Sequence, residues 1–252
     1  MFFKNLFRTP FHRGHLHQEK AVGFTDSFFM FLNLLFPKIC IGCGQWGNYL
    51  CPDCQKEIKP VLNQICPLCC LPSFKGKTHP ACQKKESLDG LISLFYYRGL
   101  IRKVIFKLKY RFVKDLKGEL SDLLIKNILL QKPSFLKYSS LILIPVPLHK
   151  KRQNFRGFNQ TEILGQDLAL FFNWQFKPHL LRRTKNILPQ AFLNKEQRIK
   201  NIKGAFGING LVRGLNFLIF DDVWTTGSTL KEMALVLKKN KAKKVWGLTI
   251  CR

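Results

Sequence analysis

An α/β domain with a mainly parallel sheet, preceded by a small cysteine-rich module, is the fold class this sequence predicts. Three observations carry that expectation. Eight of the nine cysteines crowd between residues 40 and 82. From about residue 88 onward, short apolar runs alternate with stretches of helical periodicity. Two of those apolar runs lead straight into loops rich in acids, hydroxyls or cations. Strand–helix alternation is the mark of a parallel sheet joined by crossover helices, and ligands gather at the carboxyl ends of such strands.

The chain opens with residues 1–23, a basic stretch carrying His12, His15 and His17 that reads as a tail. Residues 24–36, "FTDSFFMFLNLLF", read as an amphipathic helix that docks on the body of the protein. The apolar run there is about half of the roughly 20 residues needed to span a bilayer. It also contains Asn33, and no small-residue cleavage site follows, so neither a transmembrane segment nor an export signal is expected. The cysteine-rich module completes a segment 24–86, and the α/β domain takes 87–252.

Within the cysteine cluster the first four residues read Cys40-x2-Cys43 and, seven residues on, Cys51-x2-Cys54. Each pair makes a tight knuckle that offers two thiolates at one side of a tetrahedron, so the four together suit one Zn2+. A second, less regular set consists of Cys66, Cys69, His79 and Cys82, with Cys70 as a spare thiol. Imidazole replaces thiolate readily on zinc, and a Cys3His site follows. Residues 40–85 thus read as a double zinc ribbon that draws much of its folding energy from metal. Cys251, next to the terminus, stands apart.

In the larger domain, "LDGLISLFYY" (88–97) reads as a strand. The helical spacing of Ile101, Val104, Ile105, Leu108 and Phe112 follows. "SSLILIPVPLH" (139–149) is an all-apolar strand running into a proline loop, and "GFNQTEILGQDLALFF" (157–172) a helix. "NFLIF" (216–220), "GSTLKEMALVLKKN" (227–240) and "KKVWGLTI" (243–250) complete a strand–helix–strand unit.

Composition narrows the function classes. With 46% hydrophobic and 13% aromatic residues, the chain has the material for a core and is not globally disordered. It carries 42 Lys and Arg against 15 Asp and Glu, a formal net charge of +27. Such an imbalance attracts polyanions. Nucleic acid, a phosphorylated small molecule and an anionic membrane surface all fit it.

Against that background, "FLIFDDVWTTGSTL" (217–230) places two of the few carboxylates side by side. A buried strand would deliver Asp221 and Asp222 to the carboxyl edge of the sheet. Thr225, Thr226, Gly227, Ser228 and Thr229 would then wrap into the first turn of a helix, whose hydroxyls and amides form a phosphate cradle. Two acids beside a phosphate cradle suit a sugar phosphate: the acids hold ribose hydroxyls, or Mg2+ through them, and the loop holds the 5′-phosphate. The segment resembles the 5-phosphoribosyl-1-pyrophosphate (PRPP) signature of type I phosphoribosyltransferases. The Gly-x4-Gly-Lys pattern of a Walker loop is absent. The second loop, "VPLHKKRQNFRGFNQ" (146–160), supplies Lys150, Lys151, Arg152 and Arg156 for phosphates and Gly157 for a sharp turn. Residues 141–213 hold thirteen basic residues against three acidic ones.

The whole order, from zinc ribbon through "KLKY", "PVPLHKKRQNFRGFNQTEILGQDLA" and "LPQAFLNKEQRIKNIKGAF" to "FDDVWTTGSTL", resembles the ComF/ComFC family of competence-associated, phosphoribosyltransferase-like proteins over about residues 27–252. In that family the pyrophosphate-loop motif matches Val146, Pro147, Leu148 and His149, then Arg156 to Gln160. The mobile-loop motif matches Gln190, Arg198, Asn201, Ala205 and Phe206, whereas Thr184 stands further from Gln190 than the pattern has it. His79 is a second departure, since the family's second knuckle usually carries two cysteines. The resemblance implies a type I phosphoribosyltransferase-like sheet and a cytoplasmic setting near the inner face of the membrane. It also implies a link to single-stranded DNA in natural transformation, with DNA-uptake and recombination machinery as partners.

Two functional readings follow. In one, the protein handles single-stranded DNA with an inherited PRPP pocket and a basic surface, and Phe155, Phe158 or Trp224 either stack bases or, as such aromatics more often do, belong to the core. In the other, it is a working phosphoribosyltransferase that displaces pyrophosphate at ribose C1 with Mg2+ and an unknown acceptor. Asp221 and Asp222 would then grip the ribose, and Lys151, Arg152 and Arg156 the pyrophosphate.

Overall fold

The computed structural model of the chain describes residues 37–110, 116–148, 157–184 and 194–252. The expected tail and the 24–36 helix lie outside them. In chain order the strands are β1 (Gly90–Phe95), β2 (Ile142–Pro145), β3 (Gln175–Phe176), β4 (Leu181–Arg183), β5 (Phe206–Ile208), β6 (Asn216–Val223) and β7 (Lys244–Cys251). The α-helices are α1 (Pro52–Glu57), α2 (Gly99–Tyr110), α3 (Leu116–Gln131), α4 (Gln160–Phe171), α5 (Lys195–Ile202) and α6 (Ser228–Lys239).

Five strands form one parallel sheet in the order β1-β7-β6-β2-β3. The α/β class is therefore as expected, and the reason is visible in the side chains. Successive residues of a strand face opposite ways. Along β6, Leu218 and Phe220 enter one buried cluster while Phe217 and Ile219 enter another. The first cluster lies under α2, α3 and α4, with Ile105, Leu124 and Leu168 among its members. The second lies under α6, through Met233, Ala234 and Leu237. With both faces covered, a continuous apolar run is what a strand needs.

Among the described residues, Trp246 on β7 is the largest fully buried side chain. Its indole donates to the Tyr138 hydroxyl at 3.2 Å, and its ring packs edge-on against Phe135 at 5.9 Å. Gly90 lies opposite on β1, in register with Trp246. A Cβ there would fall 2.3 Å from the indole, so only glycine fits.

The cysteine-rich segment is built into this body rather than tethered to it; residues 39–252 form one compact unit. β1 is an edge strand, and an uncovered edge is a template for unwanted pairing. Residues 59–65 cover it. Val61 N donates to Leu94 O at 2.9 Å. The Gln64 side chain imitates a strand: its Oε1 accepts from Ser93 N at 3.0 Å and its Nε2 donates to Ser93 O at 2.9 Å. At the other end of the segment, the Glu119 carboxylate on α3 accepts the amides of Tyr49 and Leu50. Leu50, Cys51 and Cys54 enter the first core cluster.

Three short elements have no strong sequence pattern: β3, with two residues, and the antiparallel pair β4–β5. The β4–β5 pair closes the base of the excursion 184–205, where Thr184 N donates to Ala205 O at 2.9 Å.

Because Glu119 serves two amides at a single joint, Glu119→Ala leaves both without their acceptor. A loss of about 1–3 kcal/mol is expected, read as a lower urea midpoint. Glu119→Gln, which keeps one acceptor oxygen, should fall between the two.

Candidate functional site

β6 is apolar and buried from Phe217 through Phe220, then emerges with Asp221 and Asp222 half-buried at its carboxyl end. The chain continues through Val223 to Trp224, whose amide donates to the Cys251 carbonyl of β7 at 2.8 Å. Trp224 is 6% exposed and carries Gly227 on its ring. A Cβ on Gly227 would lie 2.1 Å from that ring, and the residue sits at φ +68°. Both facts demand glycine. Trp224 is therefore a buried prop and not a base-stacking platform, the core role being the one of its two expected roles that the structure shows. Thr226 Oγ1 accepts from Ser228 N at 3.3 Å and donates to Ser228 Oγ at 3.0 Å, which shapes the turn into α6. Thr225, Thr226, Gly227, Ser228 and Thr229 thus form one loop around a helix start, where first-turn amides lack intrahelical acceptors.

The acid pair is electrostatically asymmetric. Lys109, in the last turn of α2, reaches Asp222 with Nζ to Oδ2 at 2.5 Å. Asp221 Oδ1 accepts the amide of Asp222 at 2.8 Å. Burial, together with the neighbouring charge of Asp222, pushes the Asp221 carboxyl up to about 7, with Lys109 and Arg183 opposing the rise. Arg183, on β4, also donates from Nε to the Pro147 carbonyl at 2.9 Å. Arg183 therefore joins the acid pair to the start of the other loop. Neither Lys109 nor Arg183 emerges from the sequence as a site residue. Lys109 is one of eight cations in residues 98–117. Its only signal is its place in "KLKY", directly after the buried Leu108.

The second loop leaves β2 beside the first: Pro145 is in register with Phe220, and Val146 N donates to Phe220 O at 2.9 Å. Val146, Pro147 and Leu148 are described; His149, Lys150, Lys151, Arg152, Phe155 and Arg156 lie outside the described residues. The return of the loop is pinned at its base. Asn159 caps α4 by accepting from Thr161 N at 3.3 Å, and it donates from Nδ2 to Val146 O at 3.1 Å. Thr161 Oγ1 donates to the same carbonyl at 3.2 Å. The "FNQT" run therefore closes the loop, and Gly157, at φ +75°, makes the turn. In the excursion between β4 and β5, Asn201 lies on α5, while Ala205 and Phe206 are buried. Arg198 also falls within α5, its side chain outside the description, and Gln190 lies outside the described residues.

Two metal-ligating quartets stand on the cysteine-rich segment. In Cys40, Cys43, Cys51 and Cys54, and again in Cys66, Cys69, His79 and Cys82, all candidate ligand atoms lie within 4.8 Å of one another. Four thiolates at about 2.3 Å around tetrahedral Zn2+ stand about 3.8 Å apart. Cys43 and Cys51 sulfurs are 3.7 Å apart, and Cys69 Sγ is 3.4 Å from His79 Nδ1. The residues fit the ion. His79 also turns Nε2 to the Pro72 carbonyl at 3.0 Å, the outer contact that fixes which nitrogen faces a metal. Cys70 lies outside the set, exposed and at φ +64°. Burial opposes ionisation of Cys40, yet the amides of Cys51, Cys43 and Gly42 outweigh it and bring the thiol down to about 6. Cys66 behaves likewise, brought to about 7 by the amides of Cys69, His79 and Leu68. Bound zinc supplies folding energy here rather than reaction chemistry.

Two equivalents of zinc per chain are expected by elemental analysis. Cys54→Ser should remove one of them and lower the unfolding midpoint, because Cys54 also packs in the main core. His79→Cys should keep both, since thiolate and imidazole serve alike. One equivalent or fewer in freshly purified wild-type protein contradicts the assignment.

The comparisons with known proteins agree with this anatomy. Residues 31–84 match the double zinc ribbon domain. The chain is 32% identical to the DNA utilization protein YhgH of Shigella flexneri over 230 residues, 87% of this chain and 99% of the relative. It is 30% identical over 208 residues to competence protein F of Haemophilus influenzae, covering 80% of this chain and 90% of the relative. Against competence protein ComFC of Bacillus subtilis the identity is 27% over 218 residues, covering 81% and 84%. At this identity and coverage, the chain belongs to the ComF family of DNA utilization and competence proteins.

Proposed function

We propose that this chain binds PRPP at the carboxyl edge of its sheet and acts on single-stranded DNA during DNA uptake and natural transformation. The observation that carries the pocket is the juxtaposition of Asp221 and Asp222 with the loop Thr225–Thr229 beside the start of the second loop. The DNA role is supported by the relatives' names and by a formal net charge of +27. The acids offer acceptors for the ribose hydroxyls, the Thr/Ser hydroxyls and α6 amides offer donors to the 5′-phosphate, and Lys151, Arg152 and Arg156 are assigned to the pyrophosphate. Mg2+, held through the ribose hydroxyls by this pair, would balance pyrophosphate charge.

A second reading, transfer of the phosphoribosyl group to an acceptor, is favoured by one observation. Lys109 and Arg183 surround the acid pair with fixed cations, an arrangement that stabilises charge developing beside it. The reaction would break the C1–pyrophosphate bond and form a bond from C1 to the acceptor, with pyrophosphate leaving with the electron pair.

Calorimetry with PRPP and Mg2+ tests the pocket. Asp221→Asn with Asp222→Asn should abolish the binding heat, and undiminished binding removes the assignment. The pH dependence has a definite sign. Asp221 is raised to about 7 from an ordinary 3.8, so binding that needs its carboxylate tightens up to about tenfold per pH unit below 7 and levels above it. Asp221→Asn should abolish that dependence. The fold binds a proton that the unfolded chain has already lost between pH 4 and 7, so stability falls as pH rises through that window. Asp221→Asn should therefore raise Tm at pH 8 while weakening the ligand. For the DNA role, a fluorescent single strand titrated across a salt series should give a steep log–log slope. A flat, weak isotherm at every salt concentration would remove it.

A further inference from the structure

Two clefts flank the second metal quartet. The larger, ≈ 960 Å³, begins at Thr226 and Ser228 of the phosphate loop, passes Lys203 and Lys231, and reaches Cys69 and Cys82. Its α6 wall is Ser228, Lys231, Glu232 and Leu235, the spacing of one helix face. The smaller, ≈ 620 Å³, lies by the amino ends of β1 and β7, where Lys77, Tyr138, Lys244 and Trp246 stand around Asp89. The strands are parallel, so this second cleft sits at the end of the sheet opposite the acid pair. Lys84 and Lys85 line both clefts.

Lysines outnumber acids along this path, where Glu86, Asp89 and Glu232 are the acids lining the two clefts. Asp89 is taken by Lys238 at 2.7 Å and Lys244 at 3.1 Å. Glu232 accepts the Gly204 amide at 2.7 Å. Lys77, Lys84, Lys85 and Lys203 are exposed and make no ion pair among the described residues. Between the lysines of the larger cleft, the half-buried Leu68 and Leu235 supply apolar surface. Spaced cations with apolar surface between them suit a flexible polyanion whose bases have faces to bury. A duplex, whose bases are stacked inside, would leave that surface unused.

We propose that single-stranded DNA lies in a track over the second zinc ribbon. The track runs from the phosphate loop at the carboxyl edge, across Lys84 and Lys85, to the cleft at the amino edge. Lys203 and Lys231 hold phosphates at the first end, and Lys77 at the second. The ribbon is then part of the binding surface as well as a staple for the fold. β7 has eight residues, so at about 3.3 Å each the track is about 26 Å long. This inference rests on the DNA reading above and assigns that reading a place.

The test is the variant Lys77→Glu/Lys84→Glu/Lys85→Glu, compared with wild type in binding a fluorescent oligothymidine of roughly 16 nucleotides, the upper site size of single-strand binders. Three lost phosphate contacts should reduce the salt slope by about 2, at about 0.7 per contact. Affinity at low salt should fall at least tenfold, with zinc content and PRPP binding unchanged. Wild-type binding with an unaltered slope in the variant overturns the track and leaves the DNA reading intact. No binding by wild type overturns both. Were the triple variant to lose zinc, Lys203→Gln with Lys231→Gln, outside the cysteine-rich segment, reads the same slope, expected to be lower by about 1.4; no change there overturns the track.

Discussion

The position of β6 between β2 and β7 is the constraint on which the rest of the structure depends. Hydrogen-bonded on both edges and covered on both faces, β6 meets solvent only where its apolar residues stop. That is why two carboxylates follow Phe220 at once. The parallel register sets Pro145 opposite Phe220, so the two loops leave the sheet at one level. Antiparallel pairing of β2 with β6 would send the "VPLH" loop to the far end. Placing two acids side by side in half-buried surroundings is costly, and two cations from other elements offset that cost. Lys109 arrives from α2 and Arg183 from β4.

A second dependence runs from the metal-ligating segment to the same loop. Residues 59–65 seal β1, and Gln64 holds Ser93 on both its amide and its carbonyl. Ser93 in turn shares a buried hydroxyl contact with Thr249 of β7 at 2.8 Å. The end of β7 holds Trp224 through the Cys251 carbonyl, and Trp224 supports Gly227. Each link is a packed or hydrogen-bonded contact, so loss of the ribbon would loosen the Thr225–Thr229 loop as well as the edge of the sheet. Such contiguity supplies a route for coupling; its strength is a matter for double-mutant cycles.

What was legible in the sequence was what is local. Apolar runs marked β2 and β6, and apolar stretches interrupted by one or two small residues marked β1 and β7, because strands buried on both faces need them. Ligand spacing marked both quartets, His79 included, because knuckles are short-range objects. The acid pair and its Gly227 loop were legible because strand, acids and turn are contiguous. Lys109 and Arg183 were not, since each reaches the site from a distant segment and is one cation among many. β4 and β5 escaped for a related reason: three residues carry too little periodicity, and their pairing spans the 184–205 excursion. Trp224 was legible only as a choice, since an aromatic beside such a loop is either core or stacking surface until its burial under Gly227 is seen.

The contact between Lys109 and Asp222 bears on why so basic a chain keeps an acid pair at all. Without ligand, Asp222 is already neutralised, so the pocket is not an open anionic hole in a cationic surface. On the proposed reading, ribose hydroxyls take over the Asp222 carboxylate, and the ammonium so released stands beside the ligand's own phosphates. The exchange keeps local charge balanced in the bound state and leaves a cation where pyrophosphate charge would gather. It also separates two kinds of electrostatics in one protein. Interactions inside a half-buried pocket are screened weakly by salt, whereas those of exposed lysines are screened strongly. Small-ligand binding that persists at salt concentrations where DNA is released is therefore the expected behaviour of a chain that keeps a guarded acid pair beneath a lysine-rich surface.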